Sequence, residues 1–240
     1  MSWLTPLPRA AGVLEMLDRP APFADLRLSL EDVVRLNAVF GGRRVTLAHV
    51  KRLLARLPAA APVTVLDLGT GAADIPLALI RWARRARRSL RVFALDRDWS
   101  TLRVARGLTM LYPEITFVQA DALALPFRRD AVDVVISALT LHHLEPAGAA
   151  RCLEGMDAVS RIGLVVNDLY RSRAAWALVW VATRLQARRR MSWHDGPLSV
   201  LRAYTAEELR GLCARARLGP VEIWRYPPLL RHCLVKAKTA

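Results

Sequence analysis

The chain has few cysteines and no long apolar run. Its three cysteines, among 240 residues, are Cys152, Cys213 and Cys233, and none forms a C-x-x-C pair. We therefore expect neither a metal site nor a disulfide framework, and we expect a reducing, cytoplasmic environment. The longest apolar run, residues 174–182, is too short to cross a bilayer, and the first twenty residues lack the features of a signal peptide. No membrane span is expected.

Lysine is also scarce, although the chain is strongly basic. Only three lysines accompany a formal net charge of +15, so almost all the positive charge is carried by arginine. A basic chain is compatible with a nucleic-acid partner. However, the arginines are spread along the sequence, with clusters only at 84–88 and 188–190, and we find no RNA-binding module signature. The scattered arginines and the missing signature therefore disfavour a nucleic-acid partner.

From residue 63 onwards, apolar strand patterns alternate with helical ones. We predict strands over 63–68, 91–96, 115–119, 132–138, 162–168, 220–225 and 231–236, and helices over 75–88, 98–110, 147–159, 172–190 and 205–217. This alternation predicts a mostly parallel sheet covered by helices, and the short connection between the last two strands predicts an antiparallel pair at one edge.

The residues before the first strand read as helical. We predict one helix ending at Gly41-Gly42, with Ser29 and Asp32 as a capping pair, and a second over 45–57. Residues 1–60 are too few to bury a core of their own, so we expect a helical lid. Residues 61–240 would then form the main domain, with a helical insertion at about 170–200.

The segment over residues 63–74, Val-Thr-Val-Leu-Asp-Leu-Gly-Thr-Gly-Ala-Ala-Asp, predicts a buried strand, a tight turn and a helix start. Glycine in such a turn can adopt positive φ and lets the backbone approach a ligand closely. The amino end of the following helix would face that ligand. The turn is therefore the first candidate binding element.

The pattern Asp67-x-Gly69-x-Gly71-x-Ala73 resembles the first motif of class I S-adenosylmethionine (SAM) dependent methyltransferases. That family usually has a third glycine where Ala73 stands, and we expect alanine to be tolerated if the backbone there is already helical. The resemblance implies an α/β, Rossmann-like fold: a doubly wound, mostly parallel seven-stranded sheet with an antiparallel last strand. It also implies that Asp67, Gly69, Thr70 and Gly71 contact SAM.

Polar residues at the ends of the next strands extend the resemblance. Functional residues of a doubly wound sheet lie at the carboxyl ends of its strands. The second strand ends at Asp96-Arg97, where a carboxylate can accept both ribose hydroxyls, and the third is followed by Asp121-Ala122. The resemblance implies adenine contacts for Asp121 and Ala122, and it adds Ser137 at the end of the fourth strand to the cofactor-binding set.

Candidate acceptor-site residues follow the fourth strand and the helical segments. The run Leu141-His142-His143-Leu144 resembles small-molecule methyltransferases, including the ubiquinone and menaquinone biosynthesis type. An imidazole titrates near neutral pH, so we predict His142 as the general base and His143 as a substrate contact. Asn37, Trp176 and Trp180 are further candidate substrate contacts, since the two tryptophans are one helical turn apart.

The sequence thus predicts a SAM-dependent methyltransferase acting on a small apolar or phenolic metabolite, polyketide- or quinone-like. O-methylation is favoured over C-methylation, and the protein is expected to be a cytoplasmic monomer or homodimer. The alternatives are an RNA methyltransferase, suggested by charge alone, and a SAM-binding partner subunit without turnover. An NAD(P)-dependent oxidoreductase is opposed by Asp74, which stands where the dinucleotide motif has its last glycine, and by Asp121.

Overall fold

A computed structural model describes residues 6–238, and the strands in this range form a seven-stranded sheet. Its strand order is β3-β2-β1-β4-β5-β7-β6. The strands are β1 (Val63–Leu68), β2 (Leu90–Asp96), β3 (Ile115–Gln119), β4 (Val132–Ala138), β5 (Ser160–Leu169), β6 (Glu222–Tyr226) and β7 (Arg231–Ala237). β1 to β5 are parallel to one another, whereas β7 runs antiparallel to both β5 and β6. The predicted α/β, Rossmann-like fold is confirmed.

Helices cover both faces of the sheet. They are α1 (Phe23–Val39), α2 (Gly42–Leu54), α3 (Asp74–Arg85), α4 (Trp99–Leu108), α5 (Pro146–Val159), α6 (Arg173–Gln186), α7 (Arg190–Arg202) and α8 (Ala206–Arg215). α5 and α8 form a core with one face of the sheet, and α2 and α3 form a second core with the other. Burial on both faces explains why β1 and β4 are almost continuously apolar.

Two local predictions are corrected by the structure. The helix predicted over 172–190 ends at Gln186, and a separate helix, α7, begins at Arg190. Ser29 and Asp32 do not cap a helix, because α1 already begins at Phe23 and both side chains are buried within it. Asp32 instead accepts hydrogen bonds from the Arg188 N–H (3.0 Å) and the Ser192 hydroxyl (2.9 Å). A buried carboxylate therefore ties α1 to the start of α7.

The backbone at Ala73 also differs from expectation. Ala73 has φ +58°, which is left-handed rather than right-handed helical, and it directly precedes α3. A left-handed conformation costs a residue with a Cβ about 1–2 kcal/mol. The third glycine of the family motif would remove this cost, so Ala73 adopts the glycine-type turn at some expense in stability.

Residues 6–22 form an extended segment, here called the N-terminal strap, that crosses the carboxyl edge of the sheet. The Arg9 guanidinium donates to the backbone oxygens of Arg202 (2.9 Å) and Leu144 (3.0 Å). A 3-10 helix, Met16–Asp18, follows, and its first two N–H groups donate to the Asp195 carboxylate of α7. The strap thereby lies over the ends of β1 to β4. Within residues 6–238, no helix combines the length and apolar character needed to cross a bilayer.

Candidate active site

A cavity of about 200 Å³ lies at the carboxyl ends of β1 to β4, beneath α1 and the strap. The structure brings most of the predicted site residues together here. Those that line it are Asn37, Asp67, Gly69, Thr70, Gly71, Asp96, Arg97, Asp121, Ala122 and His143. Four other predicted residues are outside the lining: Ser137, His142, Trp176 and Trp180. The carboxyl-edge rule for doubly wound sheets accounts for this grouping.

The glycine turn forms the floor of the cavity. Gly69 and Gly71 both have positive φ, at +66° and +53°. A Cβ at Gly69 would lie 2.4 Å from Thr140 Oγ1, so this position has no room for a side chain. The Gly71 N–H donates to Asp96 Oδ2 (3.2 Å), and the Thr70 hydroxyl donates to Asp67 Oδ2 (2.7 Å). The turn and the end of β2 are thus fixed to each other.

The cavity is acidic, although the whole chain is basic. Six of its lining residues are aspartates: Asp18, Asp67, Asp74, Asp96, Asp98 and Asp121. Burial raises the pKa of Asp67 to about 8; the Thr70 hydrogen bond opposes this rise, and the neighbouring Asp74 and Asp96 add to it. Burial also raises the pKa values of Asp74 and Asp96. These carboxyls are short of positive partners, so a cationic ligand would stabilise their ionised forms.

Asn37 joins α1 to this acidic wall. Its amide donates to Asp74 Oδ2 (2.9 Å), and its side-chain oxygen accepts from Arg231 Nη2 (3.1 Å). Arg43 Nε lies 3.9 Å from the same oxygen of Asp74. Asn37 therefore lies in the cavity wall, and both its side-chain amide nitrogen and its side-chain oxygen are hydrogen-bonded within the protein.

The end of β3 contributes a more open part of the cavity. Asp121 is exposed, and its Oδ1 accepts from the Leu123 N–H (2.8 Å), which leaves the rest of the carboxylate available to a ligand. Arg97, also well exposed, has Nη2 at 3.5 Å from Asp18 Oδ1. Ser137 lies deeper: its hydroxyl is buried and donates to the Leu68 carbonyl (3.4 Å). It supports the strands, and a cofactor contact by Ser137 stays a prediction.

His142 is buried between two carboxylates. Its Nδ1 is 2.7 Å from Asp168 Oδ1 at the end of β5, and its Nε2 is 3.5 Å from Glu15 Oε1 in the strap. Burial alone would lower the pKa of His142, but Asp168 and Glu15 outweigh burial and raise it to about 10. At neutral pH His142 is therefore a cation that holds the strap to the sheet. The general-base role stays a prediction, and this protonation opposes it.

His143 lies on the cavity side of the same short 3-10 helix, Leu141–His143. Its Nδ1 is 2.9 Å from Asp18 Oδ1, and Arg202 Nη1 donates to the other oxygen of Asp18 (2.8 Å). Burial would raise the pKa of Asp18, but His143 and Arg202 hold it well below its usual range. A carboxylate that remains ionised orients the imidazole and favours a proton on Nδ1.

Sequence reasoning missed the two acids of the strap, Glu15 and Asp18. Glu15 is only 3% exposed, and its carboxylate lies between His142 and His143, with Nε2 of His143 3.8 Å from Oε2. The available signal was the pair of acids, Glu15 and Asp18, in the otherwise apolar segment 13–18. No local pattern shows that this segment returns to histidines more than 120 positions away, so their pairing could not be inferred.

Glu15, His142 and His143 have ligand atoms within 4.8 Å of one another, a grouping that could hold a metal ion. Arg202 Nη1 lies 3.8 Å from Glu15 Oε1, which places a positive charge beside that position. Moreover, the raised pKa of His142 puts a proton on the nitrogen that an ion would need. We therefore interpret the group as an ion-pair network, and the expected absence of a metal stays a prediction.

The two tryptophans of α6 occupy different environments. Trp176 packs against a buried cluster that contains Ala175 and Val179, and Leu139, which lines the cavity, packs against the same cluster. Trp180 is 40% exposed, and the Arg184 guanidinium lies over its ring at 4.2 Å. Neither tryptophan lines the cavity, so their predicted substrate contacts stay predictions.

Comparisons with known proteins agree with this geometry. Residues 65–163 match the family model described as a methyltransferase domain. A 2-phytyl-1,4-naphtoquinone methyltransferase from Thermosynechococcus vestitus is 44% identical over 64 residues. That alignment covers 27% of this chain and 27% of the relative, so only about a quarter of the relative's length is matched.

Solved structures share the fold at low sequence identity. The methyltransferase (CMeT) domain of the citrinin polyketide synthase superposes with a TM-score of 0.60 at 15% identity, covering 78% of this chain and 49% of that one. Magnesium protoporphyrin IX methyltransferase from Synechocystis PCC 6803, with bound S-adenosylhomocysteine (SAH), gives 0.56 at 15% identity, covering 83% and 84%. Similarity at 15% identity concerns the fold alone. The match to the methyltransferase family model in sequence lies over residues 65–163.

Proposed function

We propose that this chain, which carries a SAM-dependent methyltransferase domain at residues 65–163, transfers a methyl group to a small apolar or phenolic acceptor. The observation that carries the proposal is the acidic cavity at the carboxyl ends of the strands. SAM has an ammonium group and a sulfonium centre, and six aspartates line a cavity in a chain of net charge +15. An unspecific polyanion-binding site would have the opposite sign.

The residues present fit SAM in position as well as in charge. Gly71 leaves the backbone of the turn open to close approach, since a Cβ there would meet only Leu30 at 3.9 Å. Asp96 at the end of β2 is placed to accept the ribose hydroxyls. Asp121, exposed at the end of β3, is the candidate for the adenine amino group. Asp67 and Asp74, whose pKa values are raised by burial, would be stabilised as anions by the ammonium group.

When bound, SAM supplies the activated methyl group, so the chain must align the acceptor, exclude water and take up the acceptor's proton. We assign proton removal to His143, because its ring lies in the cavity wall and its Nδ1 is held by Asp18. Its Nε2 is then the nitrogen that would accept the proton, and Glu15 Oε2 lies 3.8 Å from it, beyond hydrogen-bond distance. His142, protonated between Glu15 and Asp168, would position both the strap and its neighbour.

The acceptor class follows from the rest of the wall. The cavity is also lined by aliphatic side chains, namely Leu17, Leu30, Val33, Val34, Leu139 and Leu144. An apolar wall around a single imidazole suits a phenol or an enol better than a charged substrate. The quinone methyltransferase relative and the polyketide synthase domain among the similar structures support a quinone- or polyketide-like acceptor. O-methylation remains our preference, since a phenol requires the base that His143 provides.

The proposal is tested by incubating the protein with methyl-labelled SAM and a panel of phenolic polyketides and naphthoquinols. We expect label in an organic-soluble product. Asp96→Asn should weaken SAM binding by about 1.5–3 kcal/mol, the usual contribution of hydrogen bonds to charged groups, or about ten- to a hundredfold. The exposed Asp130→Asn, which removes the same charge outside the cavity, should leave binding unchanged.

The rival functions give different results in the same assay. A partner subunit without turnover would bind SAM but would produce no labelled product with any acceptor. An RNA methyltransferase would label RNA instead, with binding that falls steeply as salt is raised. Failure of SAM binding itself would remove the proposal altogether.

A further inference from the structure

Helix α6 presents an apolar face to solvent. Leu178, Val181 and Leu185 are spaced three and four residues apart and are 54%, 45% and 79% exposed. The opposite face, with Ala175, Val179 and Thr183, is buried against the rest of the protein. A surface helix normally carries polar residues on its outer face. The outer face of α6 therefore has no covering partner among residues 6–238.

The segment that carries this face contains basic residues but no acidic ones. Residues 172–190 contain no aspartate or glutamate, but they contain five arginines: Arg173, Arg184, Arg188, Arg189 and Arg190. Arg189 is paired with Asp25 at 3.6 Å, whereas Arg184, Arg188 and Arg190 are exposed and have no acidic partner within residues 6–238. An aliphatic face bordered by unpaired cations suits a partner that is both apolar and anionic.

We propose that the outer face of α6 docks on the surface of an anionic lipid bilayer. Amphipathic helices lie in the membrane interface with their apolar side among the acyl chains and their arginines at the phosphates. Tryptophan is enriched at the same depth, and Trp180 is exposed on the flank of the face with Arg184 stacked on it. The helix has only 14 residues, which fits a position along the surface rather than across the membrane.

Other occupants match the face less well. A second copy of the chain would bring the same arginines against one another, which is repulsive. RNA would satisfy the arginines, but it would gain nothing from Leu178, Val181 and Leu185. A bilayer with acidic headgroups satisfies both sets of residues together. Docking does not depend on methyl transfer, so it can be tested whether or not the proposed function is correct.

The test is co-sedimentation of the protein with vesicles of phosphatidylcholine alone or with added phosphatidylglycerol. We expect binding only to the anionic vesicles, weakening as salt is raised. Arg184→Gln, Arg188→Gln and Arg190→Gln together should reduce the partition coefficient by about tenfold or more, since each basic residue near the surface contributes measurably. Leu178→Gln with Leu185→Gln should reduce it by at least about tenfold as well, because two apolar side chains leave the acyl region.

Matched controls separate this face from the charge of the whole chain. Arg85→Gln, Arg91→Gln and Arg106→Gln remove the same charge from exposed positions elsewhere, and Met110→Gln with Leu111→Gln removes exposed apolar side chains elsewhere. Both controls should bind vesicles like the parent protein. Equal losses in test and control variants, or equal binding to neutral vesicles, would overturn the proposal. Binding of RNA by the parent protein without binding to anionic vesicles would overturn it as well.

Discussion

His142 and His143 are adjacent in the chain, yet they have different partners and different exposure. His142 is 2% exposed and lies between Asp168 and Glu15, whereas His143 is partly exposed and lies between Asp18 and the cavity. Of the two rings, only that of His143 lines the cavity, where an acceptor would bind. The chemistry of the pair is therefore decided by the groups around each ring rather than by the histidine motif.

This difference predicts unequal effects of two substitutions. His143→Gln should lower turnover by about 10² to 10⁴, the usual contribution of positioned proton transfer. It should leave SAM affinity nearly intact, and it should abolish the limb of the pH–rate profile that reports the base. His142→Gln should lower thermal stability and retain that limb. If instead the limb disappeared only in His142→Gln, His142 would be the base as the sequence suggested, and the assignment to His143 would be wrong.

At the scale of secondary structure, Asp195 of α7 holds the backbone of the strap where the strap reaches the cavity. Asp195 accepts hydrogen bonds from the N–H groups of Met16 (2.8 Å) and Leu17 (2.9 Å). Leu17 and Asp18, which follow directly, line the cavity. By holding these two backbone N–H groups, Asp195 also holds the part of the cavity wall that Leu17 and Asp18 form. The strap should therefore behave as part of the site.

Asp195→Asn should release the strap, because the amide retains one acceptor and turns a donor towards a backbone N–H. Leaving a buried donor unsatisfied costs about 1–3 kcal/mol. Hydrogen exchange at Met16 and Leu17 should accelerate accordingly, and turnover should fall because Asp18 no longer holds His143. Glu222→Gln, an exposed substitution on β6, serves as the control. Unchanged exchange at the two amides would show that other contacts hold the strap.

The sequence predicted the secondary structure of the sheet well, because each strand is a compact apolar run ended by a turn. β1, β3 and β4 have the predicted bounds, and the antiparallel end of the sheet followed from the short connection before β7. The conformation of Ala73 was misjudged, because the sign of its φ angle is set by the geometry of the turn rather than by the residue type. The strap was missed because its partners in α7 and after β4 are distant in sequence, and long-range pairing leaves no local pattern.

For the whole molecule, two groups with raised pKa values make stability depend on pH in the same direction. The pKa of His142 rises from 6.5 to about 10, chiefly through Asp168 and Glu15 once burial is overcome, and burial raises that of Asp67 from 3.8 to about 8. In both cases the folded state binds more protons than the unfolded state between the two values. Stability therefore falls as pH rises through those windows.

We expect the melting temperature, measured by calorimetry, to be highest at mildly acidic pH and to fall between about pH 6.5 and 10. Each kcal/mol lost should lower it by about 2–4 °C in a chain of this size. Below about pH 4 it should fall again, because Asp18, Glu15 and Asp168 have lowered pKa values despite burial and lose their pairing when protonated. His142→Gln should flatten the alkaline side. A melting temperature that rises from pH 7 to 10 would contradict the assigned charge states.

The whole chain is basic, whereas the cavity is acidic. The chain carries 36 basic and 21 acidic residues, which alone suggests a polyanion partner. Folding gathers six of the acids into the lining of the cavity, which includes one arginine, Arg97. Composition cannot reveal this separation of charge, because the separation depends on which strand ends meet in the fold. The sequence did indicate part of it, since Asp67, Asp96 and Asp121 lie at predicted strand ends.

An acidic cavity should select a cationic cofactor, and titration calorimetry with SAM and with NADH tests this selectivity most directly. SAM should bind with a dissociation constant in the micromolar range and a one-to-one stoichiometry, and its affinity should weaken in Asp96→Asn. NADH, whose pyrophosphate is anionic, should show no binding under the same conditions. Binding of NADH without binding of SAM would leave the fold standing and contradict the assigned function.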